Sequence, residues 1–140
     1  MSPKELQVVA DLMTGEVATL QRNDQLSIAD DVMRLGQVRH LPVLGDDDEL
    51  VGIISHRDLL YGALARVLGY GSAGRAKLLK TVLVKEAMTC DPTTVQPSTP
   101  IADAARLMVD KKIGCLLVVD GDALVGIVTE SDFVKLYAAT

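Results

Sequence analysis

Apolar positions follow the same succession of rhythms in each half of the chain. In the first half an extended piece, Val17 to Leu20, precedes Leu26, Ala29, Val32 and Met33, which recur at the spacing of one helix face. Asp24 stands where an N-cap is expected and Gly36 where the helix should end. Two short apolar runs follow, His40–Leu44 and Leu50–Ser55, separated by the acidic turn Asp46-Asp47-Asp48. They read as a hairpin, and a further helix is expected from about Arg57. In the second half Thr99 is the expected N-cap, Pro100 suits a first helical turn, and Ile101, Ala104, Ala105 and Met108 form the apolar stripe. Gly114 lies just past that helix, strands are expected at Cys115–Asp120 and Ala123–Thr129, and a last helix near Ser131. The order is strand, helix, strand, strand, helix, twice.

The two halves are also alike residue by residue, and a repeat of this kind organises a fold. At an offset of 75 residues Met13-Thr14 falls on Met88-Thr89, and Thr19, Gln21, Ala29, Met33, Leu41 and Val43 fall on Thr94, Gln96, Ala104, Met108, Leu116 and Val118. Dropping one residue in the acidic turn restores the match at offset 74, where Leu50-Val51-Gly52-Ile53 falls on Leu124-Val125-Gly126-Ile127 and Asp58 on Asp132. The expectation is a mixed α/β (α+β) fold of two tandem β-α-β-β-α repeats, residues 9–60 and 84–138, joined by residues 61–83. A small sheet of this kind cannot close a core alone, so the repeats should pack sheet to sheet with pseudo-two-fold symmetry. The helix faces of Ala29, Val32 and Met33 and of Ala104, Ala105 and Met108 are expected to stay open and to drive homodimer formation.

Composition narrows the function. The chain has 140 residues, 49% of them apolar, with no Trp, one Phe and three Tyr, so its core rests on aliphatic side chains and Met. A formal charge of −5 argues against a general nucleic-acid or membrane-surface binder, both of which need a basic face. No signal peptide or bilayer-length apolar run is visible, and a cytoplasmic location is expected. Cys90 and Cys115 read as small reduced residues rather than a disulfide framework.

Each hairpin runs into a similar phrase, Gly52-Ile53-Ile54-Ser55-His56-Arg57-Asp58 and Gly126-Ile127-Val128-Thr129-Glu130-Ser131-Asp132. A hydroxyl residue followed three positions later by Asp at a helix start is a capping arrangement. It is equally suited to a nucleoside: free N–H groups for a phosphate, a carboxylate for the vicinal ribose hydroxyls, a hydroxyl for ribose or phosphate. Both readings remain open on the residues alone.

These phrases, with the Met-Thr pairs and Arg39-His40-Leu41-Pro42-Val43, resemble the CBS domain family over about Val9 to Leu136. The resemblance implies a paired module, often called a Bateman module, that is regulatory rather than enzymatic. Such modules bind AMP, ADP, ATP or a related adenosyl ligand in clefts between repeats and signal to a partner protein. Carried onto this chain, Ser55 and Asp58 would face Thr93, Ile113 and Gly114, while Thr129 and Asp132 would face Ala18, Val38 and Arg39. Arg57 would flank the first carboxylate. Arg39 and His40, set across from Asp132, would favour phosphate there. Leu117 departs from the pattern, standing where the family often has the proline that Pro42 supplies in the first repeat. The alternative is a ligand-free dimerisation module.

Other features carry less. Gly69-Tyr70-Gly71-Ser72-Ala73-Gly74 matches a dinucleotide-binding fingerprint but follows a helical stretch instead of a strand, so it reads as linker. His40 and His56, even with Cys115, are too few for a zinc site. Ser55, His56 and Asp58 are neighbours in sequence, whereas a catalytic triad is assembled in space. The Asp46–Glu49 run lacks the spacing of a calcium loop, and Arg75, Lys77, Lys80 and Lys85 read as a solvated face.

Overall fold

The computed structural model describes residues 7–60 and 79–139. The glycine-rich stretch 69–74 and most of the joining segment lie outside the described residues. The chain forms two compact units, one of residues Ala18–Pro92, the other of Met1–Val17 with Thr93–Thr140.

In the first unit β1 (Leu20–Gln21) leads to α2 (Leu26–Gly36), then β2 (His40–Leu44) and β3 (Leu50–Ser55), with residues 56–60 helical after it. Residues 79–81 are helical, followed by α3 (Val84–Ala87) and β4 (Thr89–Cys90). The second unit holds α1 (Val9–Leu12), β5 (Thr94–Val95), α4 (Ile101–Lys111), β6 (Cys115–Asp120), β7 (Ala123–Thr129) and α5 (Glu130–Ala138). The fold is α+β with two sheets, ordered β1-β2-β3-β4 and β5-β6-β7. In each sheet the short first strand runs parallel to the next, and the long pair is an antiparallel hairpin.

The compact units do not follow the sequence repeats. Met88-Thr89, which opens the second repeat, completes the first sheet: Gly52 pairs with Cys90 and Ile53 with Thr89. Met13-Thr14, which opens the first repeat, bridges instead to Ile127 of the second hairpin. The reason is a close approach that only glycine permits. A Cβ on Gly52 would stand 2.6 Å from the Met88 sulfur and 2.9 Å from the Thr89 carbonyl oxygen. A Cβ on Gly126 would meet the Met13 sulfur at 2.5 Å and the Thr14 carbonyl oxygen at 3.0 Å. The Met-Thr and Gly-Ile phrases are thus two halves of one contact, made twice.

Each core is built on the helix and hairpin of its own unit. Leu26, Ala29 and Met33 of α2 pack with Leu41, Val43, Ile54 and Leu59. Ala104 and Met108 of α4 pack with Leu116, Val118 and Val128. This corrects the expectation of open helix faces. Ala29 and Ala104 are fully buried and Met33 and Met108 nearly so, because the i, i+4 stripe lies on the sheet of the same unit. The apolar positions left outside are others: Ile28, Leu35, Val109, Val134 and Tyr137 are exposed.

The helix ends also differ from expectation in detail. Gln25 and Pro100 occupy the N-cap positions, one residue beyond Asp24 and Thr99. Asp24 and Thr99 instead close the preceding turns, accepting the N–H groups of Gln21 at 2.8 Å and Gln96 at 3.0 Å. The left-handed residues that end α2 and α4 are Gln37 and Lys112, not Gly36 or Gly114. Their geometry is fixed by the N–H of the following residue, Val38 to the Met33 carbonyl and Ile113 to the Met108 carbonyl.

Candidate functional site

The long hairpins deliver their last residues to the start of a helix, and this edge is where chemistry-bearing side chains gather in each unit. In the first, the antiparallel register places His40 opposite Ser55. The His56 N–H then donates to the Arg39 carbonyl at 2.7 Å, tying the residue before β2 to the residue after β3. The next turn is locked by a reciprocal pair. The Ser55 N–H donates to Asp58 Oδ2 at 2.9 Å, and the Asp58 N–H donates to Ser55 Oγ at 3.0 Å. Buried Leu59 anchors the turn to the core. Arg39, His40, Ser55, His56, Arg57 and Asp58 therefore share one edge.

The second edge repeats the plan with different residues. Cys115 lies opposite Thr129, and the Glu130 N–H donates to the Gly114 carbonyl at 3.1 Å. Thr129 and Asp132 form the same capping box, with the Thr129 N–H donating to Asp132 Oδ2 at 2.8 Å. The Thr129 hydroxyl also lies 2.9 Å from Ser131 Oγ. Burial, reinforced by the nearby Asp132 carboxylate, pushes the Cys115 thiol up to about 12.

In both boxes the carboxylate uses Oδ2 toward its own turn, and among the described residues Oδ1 of Asp58 and of Asp132 takes no hydrogen bond. Capping and ligand binding are therefore compatible at one residue, since an ionised carboxylate has acceptor capacity on both oxygens. The arrangement does not suit a serine-type relay. Ser55 Oγ and Asp58 Oδ2 are committed to backbone N–H groups rather than to the His56 ring. Among the described residues no cluster of three or more His, Cys, Asp or Glu could hold a metal ion, and no helix is long and apolar enough to cross a membrane.

The remaining sequence candidates fall within one unit or the other. Ala18 and Val38 belong with the Ser55 edge's unit, Ala18 ahead of β1 and Val38 just past α2, both exposed. Thr93, whose carbonyl accepts the Leu117 N–H at 3.2 Å, and Ile113 belong with the Thr129 edge's unit. Sequence reasoning set Glu130 beside the Asp132 carboxylate as a residue that repels phosphate; it did not single out the proximity of Cys115 to Asp132, and it weighed His56 only as a metal ligand or a base. The hairpin register sets residue 40 against 55 and 115 against 129, but a one-residue register shift, between Val43 and Leu44 and between Val118 and Val119, hides these pairs from counting back along the sequence from the turn.

Comparison with known proteins agrees with this architecture. The family model described as "CBS domain" matches twice, over residues 9–64 and 84–139. A CBS domain-containing protein of Dictyostelium discoideum is 31% identical over 130 residues, 92% of this chain and 90% of that protein. A CBS domain pair solved with 5′-methylthioadenosine and S-adenosyl-L-methionine superposes with a TM-score of 0.78 at 26% identity, covering 94% of this chain and 95% of that one. CBSX2 solved with AMP gives a TM-score of 0.75 at 30% identity, covering 94% and 96%. The chain also matches the homoserine O-acetyltransferase of Methanohalobium evestigatum at 30% identity, but spans only 24% of that protein's length. Two family matches in the two repeats, the strand-to-helix boxes and the superposition on CBS pairs lead to one assignment: the chain belongs to the CBS domain family and carries the domain twice in tandem.

Proposed function

We propose that the protein is a regulatory module that binds an adenosine-containing ligand, AMP, ADP, ATP or an S-adenosyl compound, and passes the bound state to a partner protein. The observation that carries this reading is the duplicated box in which, among the described residues, Oδ1 of Asp58 and of Asp132 takes no hydrogen bond. A carboxylate held rigidly by its own turn, with one oxygen spare, is pre-organised to accept the vicinal hydroxyls of a ribose. The hydroxyls of Ser55 and Thr129 stand beside it, and the helix start supplies N–H groups and positive potential for a phosphate or sugar oxygen. Related pairs with AMP, 5′-methylthioadenosine and S-adenosyl-L-methionine support the adenosyl class. Ala18, Val38, Thr93, Ile113 and Gly114 would contribute the base-binding surface.

A ligand regulates only through its different affinity for two states of the protein. Unfolding experiments with adenosine, AMP, ADP, ATP and S-adenosylmethionine, with GMP as control, test the reading. A saturable rise in melting temperature with at least one adenosine compound and none with GMP is expected. No rise with any of them would overturn it.

A second reading, a ligand-free dimerisation module, draws on α5, which buries none of its residues and leaves Val134 67% and Tyr137 82% exposed. We propose a homodimer on that ground, compatible with either reading. A monomeric mass by light scattering at micromolar concentration would exclude it.

A further inference from the structure

The chain passes from one compact unit to the other at residues 17–18 and again at 92–93. Just ahead of each crossing stands a Met-Thr pair, and the same contact holds both. The Met13 sulfur lies on Gly126 and the Met88 sulfur on Gly52, so close that a Cβ on either glycine would stand 2.5 Å or 2.6 Å from it. A backbone carbonyl oxygen approaches the same point, that of Thr14 at 3.0 Å and that of Thr89 at 2.9 Å. The Thr14 and Ile127 N–H groups are already bonded to each other's carbonyl oxygens, both at 3.0 Å. These two methionines also differ from Met33 and Met108 in exposure. Met33 and Met108 are 4% and 6% exposed inside the cores, whereas Met13 and Met88 are half-buried and pack on the outside of them.

We infer that Met13 and Met88 are a matched pair of oxidation sites, at which a hydroperoxide frees the Met-Thr segments from the glycines and loosens both crossings. The inference is independent of the adenosyl reading. A lone pair of the thioether sulfur attacks one oxygen of hydrogen peroxide, and an S–O bond forms as the O–O bond breaks. The hydroxide released takes up the remaining hydroxyl proton and leaves as water. Sulfur loses two electrons and the peroxide gains them. The sulfoxide oxygen is a polar acceptor and needs a donor. At Gly126 it meets the Thr14 carbonyl oxygen, and the neighbouring N–H groups of Thr14 and Ile127 are occupied. The sulfur already rests against the glycine, so the new oxygen reaches water only if the side chain swings outward. The segment it pins goes with it. The Met13 segment is held by the single bridge from Thr14 to Ile127, whereas the Met88 segment has the two pairs of β4, so the Met13 segment is released further. Half-burial makes the sites selective, because a small peroxide reaches these sulfurs and not those inside the cores. Thiol-dependent reduction of the sulfoxide makes the change reversible.

The test treats the full chain carrying Cys90→Ser with hydrogen peroxide, the substitution removing an exposed thiol that peroxide would also oxidise. Peptide mass spectrometry reads the addition of one oxygen at each methionine. Met13 and Met88 should oxidise about tenfold faster than Met33 and Met108, or more. The chain oxidised at those two sites should melt about 5 °C lower. Amide hydrogen exchange should quicken in the peptides holding Thr14, Thr89 and Ile127, most of all at Thr14. Methionine sulfoxide reductase with dithiothreitol should restore both readings. The double variant Met13→Leu with Met88→Leu keeps the apolar volume and should lose the response to peroxide. Oxidation of all four methionines at one rate overturns the inference. So does selective oxidation of Met13 and Met88 that leaves melting and exchange unchanged, or a leucine variant that responds like its parent. The reductase step needs no leucine variant, and a melting temperature that it fails to restore overturns the inference as well.

Discussion

The unit of residues 18–92 and the unit of residues 1–17 with 93–140 share a backbone plan down to the register of the hairpin, yet around the shared box they differ in the charged side chains of the strand-to-helix edge. Common to both are a glycine under a methionine, a hydroxyl residue boxed with an aspartate, and an alanine and a methionine on the buried face of the long helix. Different are the charges at the edge and the third residue of the hairpin motif. Pro42 in β2 is matched by Leu117 in β6, which is fully buried on the strand face opposite Leu116 and Val118. What recurs is what the fold needs twice. What diverges is free of the fold and is where ligand choice can be written.

The largest expected effect tests whether the two cores are equivalent. Leu41→Ala and Leu116→Ala each delete a fully buried side chain at matched positions, and each should cost about 2–5 kcal/mol in urea unfolding. A loss under about 1 kcal/mol at either position would show that unit to be loosely packed. Next come the glycines. Gly52→Ala and Gly126→Ala force Met88 and Met13 aside and press on a backbone oxygen, so each should cost about 1–3 kcal/mol. Shortening the methionine should recover only part of the loss at Gly52, where the Thr89 oxygen also stands within 3 Å. Full recovery would contradict the close backbone approach.

The two cysteines separate the units chemically. Cys90 is exposed, whereas Cys115 is buried and holds its proton up to about 12. A thiol reagent at pH 8 should modify Cys90 readily and Cys115 only on unfolding. Because the folded pKa lies above the ordinary thiol value of 9.0, the native state keeps a proton that the unfolded chain has lost. Stability from this group is complete below about pH 9 and falls as pH rises toward 12, so Cys115→Ala should flatten the alkaline loss relative to the parent. An unchanged slope would show that Cys115 is not the group responsible. The smallest effect is at the helix ends. Lys112 is left-handed at φ 55°, and Lys112→Gly should stabilise by about 0.5–1 kcal/mol. A destabilised Lys112→Gly would mean that the lysine side chain contributes more than its backbone costs.

Much of this was legible in the residues. The four long hairpin strands have the expected bounds, because each apolar run ends at a turn rich in Asp or Gly and nothing tertiary competes with it. The helix caps were misplaced by one residue because Asp24 and Thr99 serve the turn before the helix, a local choice that spacing does not reveal. The exchange of Met-Thr segments was hidden for a deeper reason. A repeat alignment shows which residues are alike, not which residues touch, and Met13 is like Met88 but packs on Gly126. The open helix faces were misread for the same reason: an amphipathic stripe shows that a partner exists without saying that it is the unit's own sheet. At the edges, the box itself could be read from Ser-x-x-Asp and Thr-x-x-Asp, while the spare Oδ1 and the gathering of Arg39 with Arg57 required the register of the hairpin.

The account turns on Asp58 and Asp132 doing more than capping. The direct measurement is calorimetric titration of AMP and 5′-methylthioadenosine into the parent and into a double variant carrying Asp58→Asn and Asp132→Asn. An amide oxygen can still accept the Ser55 and Thr129 N–H groups, so the turn is kept while the charge is lost. The account predicts binding to the parent and a loss of about thirtyfold or more in the double variant, with a melting curve close to that of the parent. Equal affinity in parent and double variant would contradict it, leaving both carboxylates as helix caps.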